Sequence, residues 1–209
     1  MEMDPSVAIF IGLILTAVGG FSATRLQNQH QIEYEGQLRM RSDEIADLNR
    51  EIAGRVTGGD GYCYFEISRA PKGDDLFLVL APHGKYPLYD VEFRLVDVQL
   101  FEQIADDIEA GDFEKLSESE IKKHIGTLSP KQARMQGRLW LPSDRDYYAY
   151  NVFMGARNGF FSQIIRLRLV NGKWKWATKV FGGGGEDAEL IFEHAEPDFP
   201  LDAAGEPRW

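Results

Sequence analysis

Apolar positions form one continuous block near the start of the chain. No charged residue lies between Asp4 and Arg25, and the residues from Ser6 to Phe21 are almost all apolar. About 20 such residues form a helix of roughly 30 Å, which matches the hydrocarbon core of a bilayer. A buried core helix would show a polar face, and a cleavable signal peptide would begin with basic residues, which are absent before Arg25. The pattern therefore predicts a transmembrane anchor within residues 1–25.

The residues that flank and line this anchor predict its orientation and its packing. Arg25, Arg39 and Arg41 all follow it, so the positive-inside rule places the rest of the chain in the cytoplasm. Small side chains recur at every fourth position: Ala8, Gly12, Thr16, Gly20 and Thr24. Gly and Ala are common in any membrane helix, but an unbroken ridge of small residues favours close packing of two helices in lipid. We therefore expect the anchor to self-associate.

A polar stretch without proline, residues 26–56, follows the anchor and carries a short heptad pattern. Its predicted seam residues are Tyr34, Leu38, Ile45, Leu48 and Ile52. Gln27, Gln31 and Arg41 also fall on the seam, so a single amphipathic helix lying on the domain is an alternative. Gly20 and Thr24 share the same heptad frame, which favours a homodimeric, helical coiled-coil stalk. The glycine-rich residues 57–61 then predict a hinge.

Alternating apolar and polar positions dominate residues 62–182 and predict a mainly β domain. The dipeptides Asn158-Gly159 and Asn171-Gly172 each separate two β-type runs, which is the pattern of a hairpin with a type I′ turn. The result is a three-stranded meander between Tyr147 and Phe181. The second turn predicts that Arg168 faces Lys175.

Alternation sorts the meander residues onto two faces of the sheet. The predicted core face contains Tyr148, Tyr150, Val152, Ile165, Leu167, Leu169, Trp174 and Trp176. The opposite face carries five cations, Arg166, Arg168, Lys173, Lys175 and Lys179, which are hereafter called the basic sheet face. Adjacent like charges destabilise an isolated sheet, so an acidic partner is expected there. The candidates are an acidic partner protein, anionic lipid headgroups, or the chain's own acidic tail, residues 183–209, which contains Glu186 and Asp187.

Earlier β-type runs predict four further strands, at residues 62–68, 76–81, 91–98 and 137–141, and together they favour a β-sandwich-like fold. Two short helices are predicted between them. Phe101, Ile104 and Ile108 share a helical face, and Ser117-x-x-Glu120 has the pattern of a capping box for a helix that ends at Gly126.

Four segments resemble recurring segments of uncharacterised, membrane-anchored bacterial proteins. They are Thr57-Gly-Gly-Asp-Gly-Tyr-Cys63, Gly84-Lys-Tyr-Pro-Leu-Tyr-Asp-Val91, Ala156-Arg-Asn-Gly159 and Asn171-Gly-Lys-Trp174. The resemblance covers most of the soluble domain and implies its architecture only. It implies no catalytic residue. The predicted location is the bacterial inner membrane.

Composition and candidate chemistry narrow the possible functions. The net charge of −10 argues against binding nucleic acid through overall charge. The single Cys63 lies in an apolar run and is expected to be buried, and the four histidines show no metal-ligand spacing. Gly182–Gly185 lacks the Lys-Ser/Thr that follows a phosphate loop. No cofactor or metal is therefore predicted.

The sequence thus predicts a single-pass, membrane-anchored binding or scaffolding module that acts through protein–protein contacts. The alternative is a membrane-tethered enzyme whose active site no motif reveals.

Overall fold

The computed structural model describes residues 5–139, 141, 145–185 and 188–209, with side chains from residue 31 onward. The chain divides into two compact units, Met1–Ile52 and Ala53–Trp209. In chain order the elements are α1 (Pro5–Thr57), β1 (Tyr62–Arg69), β2 (Leu76–His83), β3 (Leu88–Asp97), α2 (Val98–Glu109), a 3-10 turn (Phe113–Lys115), α3 (Leu116–Ser119), β4 (Glu120–Leu128), β5 (Arg134–Leu139), β6 (Tyr147–Ala156), β7 (Gly159–Val170), β8 (Lys173–Gly182) and β9 (Glu189–Ala195).

The first unit consists of helix α1 up to Ile52. The seam residues predicted from the heptad pattern, Tyr34, Leu38, Ile45, Leu48 and Ile52, are each more than half exposed. The predicted anchor and its ridge of small residues lie outside the region whose side chains are described. Within the part of the chain that was described, no helix is both long enough and apolar enough to cross a bilayer.

The second unit is mainly β and contains few helices, as the alternating pattern predicted. Its strands form a three-stranded antiparallel sheet in the order β1-β2-β5 and a six-stranded antiparallel sheet in the order β4-β3-β6-β7-β8-β9. Apolar side chains from both sheets form one buried cluster. In this cluster the Phe65 ring of β1 meets the Phe93 ring of β3 edge to face, with centroids 4.9 Å apart.

A buried glutamine connects the two sheets. Gln163 of β7 accepts a hydrogen bond from the Phe65 amide (2.7 Å) and donates one to the Phe65 carbonyl (2.8 Å). Its amide also donates to the Thr178 hydroxyl at 2.8 Å. Because β1 is an edge strand, this side chain takes the place of a neighbouring strand at Phe65.

The second predicted hairpin is confirmed and the first is displaced by one residue. Asn171 and Gly172 both have positive φ, and Arg168 pairs with Lys175. In the first hairpin Ala156 pairs with Gly159, so Arg157 and Asn158 occupy the turn, and Asn158 keeps a negative φ. The type I′ turn predicted at Asn158-Gly159 was therefore wrong.

The displacement leaves the two faces of the meander unchanged, because moving the turn by one residue shifts each partner by two positions. Tyr148 pairs with Leu167, and both side chains are buried. Trp174 and Trp176 are partly buried against the core, as predicted, whereas Leu169 is exposed.

Two elements differ from the sequence prediction. The predicted helix from Ser117 to Gly126 does not form, since only Leu116–Ser119 is helical and β4 follows directly. The Ser117 hydroxyl donates to the Glu114 carbonyl instead of capping a longer helix. The acidic tail also contains strand β9, which the sequence did not predict.

Candidate functional site

A groove of about 530 Å³ lies on the outer face of the six-stranded sheet, opposite the buried core. It crosses β4, β3, β6 and the start of β7, and is hereafter called the outer groove. It is lined by Glu92, Phe93, Arg94, Lys122, Lys123, His124, Phe153, Gly155 and Phe160. Alternation places most of these side chains on one face: His124 is opposite Glu92, Lys122 is opposite Arg94, and Phe153 is opposite Arg94 on its other side. Phe93 and Lys123 alternate to the opposite face.

The floor of the outer groove is aromatic. The rings of Phe153 and Phe160 stack with centroids 6.3 Å apart, and Phe160 is 43% exposed. The Arg94 guanidinium lies over the Phe153 ring, 4.7 Å from its centroid. An arginine held over a partly buried aromatic ring, beside the exposed ring of Phe160, offers both apolar area and a fixed charge. This combination is common at the energetic centres of protein interfaces.

The rim of the outer groove is basic towards solvent. Glu120 accepts ion pairs from Lys122 (2.7 Å) and Arg94 (3.7 Å), but its side chain is only 6% exposed. The Lys122 side chain is 66% exposed, and His124 is exposed on the same face, opposite the exposed Glu92; the exposed Lys123 between them alternates to the other face. This rim is locally basic in a chain whose net charge is −10.

The basic sheet face predicted from the sequence lies on the same side of the sheet, further towards β8 and β9. The Arg166 guanidinium donates to the Tyr150 carbonyl at 3.1 Å and to Asn151 Oδ1 at 3.3 Å. Burial lowers its pKa, and the charge of Arg168 adds to this effect. The Arg168 guanidinium lies 4.2 Å from the centre of the Tyr147 ring. Lys173 is exposed near the hairpin end.

The remaining two cations of the basic sheet face contact the C-terminal tail. Lys179 Nζ lies 3.6 Å from Glu193 Oε1 of β9 and 4.2 Å from the centre of the Trp209 ring. Lys175 Nζ lies 4.0 Å from Asp198 Oδ2. Three acidic partners for this face were considered from the sequence. The structure shows contacts between the basic sheet face and one of them, the chain's own tail. Glu186 and Asp187 lie outside the described residues.

Three of the four segments that resemble membrane-anchored bacterial proteins converge at the start of the β domain. Asn158 of the first hairpin donates to the carbonyls of Gly59 (2.9 Å) and Gly61 (2.6 Å). Arg157 binds the Asp90 carboxylate at 2.9 Å and the Val56 carbonyl at 3.2 Å.

The backbone at this junction is closely packed. A Cβ on Gly84 would lie 2.7 Å from the Gly61 Cα, and one on Gly54 would overlap the Tyr86 ring. Residues 57–61, which were predicted to form a hinge, therefore pack against other residues of the second unit.

The environment of Cys63 and the placement of possible metal ligands bear on the candidate chemistry. Cys63 is buried, as expected, and burial raises the pKa of its thiol to about 12, so it is protonated at neutral pH. Among the described side chains, no group of three His, Cys, Asp or Glu residues is placed to hold a metal ion.

Comparisons with protein-family models, curated proteins and solved structures gave no match.

The residues of the outer groove were not identified from the sequence. They come from four strands, and one of these, β4, had been predicted as a helix. The one signal in the sequence was the run Lys122-Lys123-His124, whose exposed position depends on β4 being an edge strand.

Proposed function

We propose that the protein is a single-pass, membrane-anchored binding module that acts through protein–protein contacts made at the outer groove. The observation that carries this proposal is the stacked pair Phe153 and Phe160 beside Arg94, in a concavity of about 530 Å³. Binding sites typically enclose about 300–1,000 Å³ and combine apolar walls with a few oriented polar groups. Exposed aromatic rings with a fixed arginine are enriched at protein interfaces.

The outer groove is favoured over the basic sheet face as the partner site. On the basic sheet face, Arg166 is bound within its own sheet, and Lys175 and Lys179 already face acidic residues of the tail. An external partner was expected there because it would relieve the repulsion between these like charges. The acidic residues of the chain's own tail already relieve part of that repulsion.

The architecture in this proposal is a β-sandwich-like domain carried on a helical stalk and an N-terminal anchor in the bacterial inner membrane, with the domain in the cytoplasm. The two sheets share one buried cluster, which supports the sandwich. The uncharged residues 5–24 and the basic residues that follow them support the anchor and its orientation.

The test is affinity capture of the tagged full-length protein from native membranes, followed by quantification of the co-purifying chains. We compare the parent with Phe160→Ala, which removes half of the groove floor. Phe113→Ala is the matched control, because Phe113 is more exposed but lies outside the groove.

The proposal expects at least one protein that is enriched with the parent and with Phe113→Ala, and depleted with Phe160→Ala. Equal recovery of every co-purifying protein with all three chains would contradict it.

A further inference from the structure

Strand β4 lies at the edge of the six-stranded sheet. It pairs with β3 on one side, and within the described ranges no strand pairs with its other side. An edge strand leaves a row of backbone N–H and C=O groups open to another chain. The chain therefore holds a potential pairing site beside the outer groove.

The register shows which backbone groups of β4 are open. The Leu169 amide donates to the Asp146 carbonyl, so the backbone groups of Asp146 point to β7. Successive residues of a strand point their backbone groups alternately to its two neighbours. The even-numbered residues of β6 therefore form hydrogen bonds with β7, and the odd-numbered ones form them with β3. In β3 the partners of those odd-numbered residues are Glu92, Arg94 and Val96, which therefore bond to β6.

The next residues of β3 in the alternation, Phe93 and Leu95, consequently bond to β4. Their partners are Lys123 and Ile121. The backbone N–H and C=O groups that point to the open edge are therefore those of Glu120, Lys122 and His124.

The far half of this edge is already occupied by a side chain. Arg134 of β5 donates to the Ile125 carbonyl at 3.1 Å and to the Thr127 carbonyl at 2.8 Å. Gly126, with φ +77, interrupts the register between the two halves. The accessible part of the edge is thus Glu120–His124.

Cavities flank this accessible part on both sides. The outer groove borders it at Lys122, Lys123 and His124. A second cavity of about 460 Å³ lies between β4 and β5, lined by Lys123, His124, Ile125, Arg134, Met135 and Gln136, and is hereafter called the edge gap. An added strand would direct alternate side chains towards the two cavities.

The chemistry of the two sides differs. Lys122 and His124 face the outer side with Arg94; of the two acids there, Glu120 is shielded from solvent, whereas Glu92, opposite His124, is exposed. The inner side exposes the apolar side chains of Ile121 (61% exposed) and Met135 (66%), together with Lys123, which pairs with the buried Phe93. The complementary segment is therefore acidic at positions facing outward, where Arg94 and Lys122 outnumber the exposed Glu92, and mainly apolar at positions facing inward, next to Ile121 and Met135.

We infer that the open edge of β4 receives an extended segment of a partner protein, with alternating acidic and apolar residues, as an additional antiparallel or parallel strand. This inference rests on the proposed function and names the partner chemistry of that site. Main-chain hydrogen bonds to Lys122 hold the segment, and the basic rim selects for acidic side chains.

The test measures binding of a fluorescein-labelled nine-residue peptide of alternating glutamate and valine to the full-length protein in nanodiscs. Fluorescence anisotropy reports the affinity. A peptide with lysine in place of glutamate is the charge control, and we expect it to bind at least about tenfold more weakly.

Lys122→Pro removes an N–H that points to the open edge and leaves the pairing with β3 intact. We expect it to weaken binding at least about tenfold, whereas Lys122→Gln, which keeps the N–H, weakens it about threefold or less. A second measurement does not depend on the variant folding: peptide binding should slow hydrogen exchange of the Lys122 amide and leave that of Lys123, already bonded to β3, unchanged.

Equal binding of the acidic and basic peptides, or an unchanged exchange rate at Lys122, overturns the inference. So does a Lys122→Pro variant that binds as well as the parent. If the Lys122→Pro change instead disrupts a dimer that the acidic peptide does not displace, the occupant is a second copy and the inference is wrong. The proposed function fails separately, when Phe160→Ala changes no captured protein.

Discussion

At the residue scale, the Gln163 side chain shows how a buried polar group can join two sheets. It forms three hydrogen bonds inside the core, two with the Phe65 backbone and one with the Thr178 hydroxyl. The hydroxyl in turn donates to the Ile164 carbonyl at 3.0 Å. Each bond stabilises the fold only modestly, but removal of the amide would leave the Phe65 N–H and C=O buried without partners, which is costly.

We therefore predict that Gln163→Leu lowers the free energy of unfolding by about 2–5 kcal/mol, since two backbone groups lose their partners. Urea denaturation followed by tryptophan fluorescence measures this change. Gln132→Leu is the control, because Gln132 is exposed, and it should change stability by less than about 0.5 kcal/mol. A loss for Gln163→Leu no greater than for the control would show that Gln163 does not join the sheets.

At the element scale, the sequence predicted those hairpins and strands whose signals are local. Asn171-Gly172 fixed the register of β7 and β8, because both residues adopt the positive φ that the turn requires. The first turn moved by one residue because its position is set by distant contacts. Asn158 bonds to Gly59 and Gly61, which no local pattern reveals.

Strand β4 illustrates the same limit more strongly. Ser117-x-x-Glu120 is a reasonable local signal for a helix, but pairing with β3 outweighs it. The outer groove depends on that pairing, since Lys122 and His124 reach Arg94 and Glu92 only when β4 is extended. The candidate site could therefore not be assembled from the sequence, although its strands β3, β6 and β7 were largely predicted.

The junction between residues 57–61 and the loop before β3 gives a prediction at this scale. Gly84 has φ +129, and its added Cβ would lie 2.7 Å from the Gly61 Cα. Gly84→Ala should thus combine an unfavourable backbone conformation with a clash against main chain, and cost about 3 kcal/mol or more.

Gly73→Ala separates the two contributions, because Gly73 has φ +93 but nothing lies within 4 Å of its added Cβ. This control should cost about 1 kcal/mol. Thermal and urea denaturation of the two variants give the comparison. Equal losses would mean that the close contact of Gly84 with Gly61 contributes nothing to stability.

At the scale of the whole molecule, the chain combines a predicted anchor, a predicted stalk and a β domain. The predicted seam residues Tyr34, Leu38, Ile45, Leu48 and Ile52 are exposed in the single chain, and the predicted ridge of small residues shares their heptad frame. Exposed apolar seams of this kind are covered when two helices pair.

We predict that the full-length protein self-associates through anchor and stalk. Gly12→Leu together with Gly20→Leu places bulky side chains on the ridge and should reduce a bacterial membrane two-hybrid signal at least about fivefold. Gly19→Leu, one residue off the ridge, is the matched control and should retain the signal. A signal that is absent in the parent, or equal in both variants, would rule out association through this ridge.

The proposed function requires that a partner protein contacts the outer groove. The most direct measurement replaces Phe160 with the photoreactive residue benzoylphenylalanine in the full-length protein and irradiates living cells. The same residue at Lys173, on the basic sheet face, provides the comparison. We expect a covalent adduct with another protein from position 160 and none from position 173. An adduct from position 173 alone, or from neither position, would contradict it.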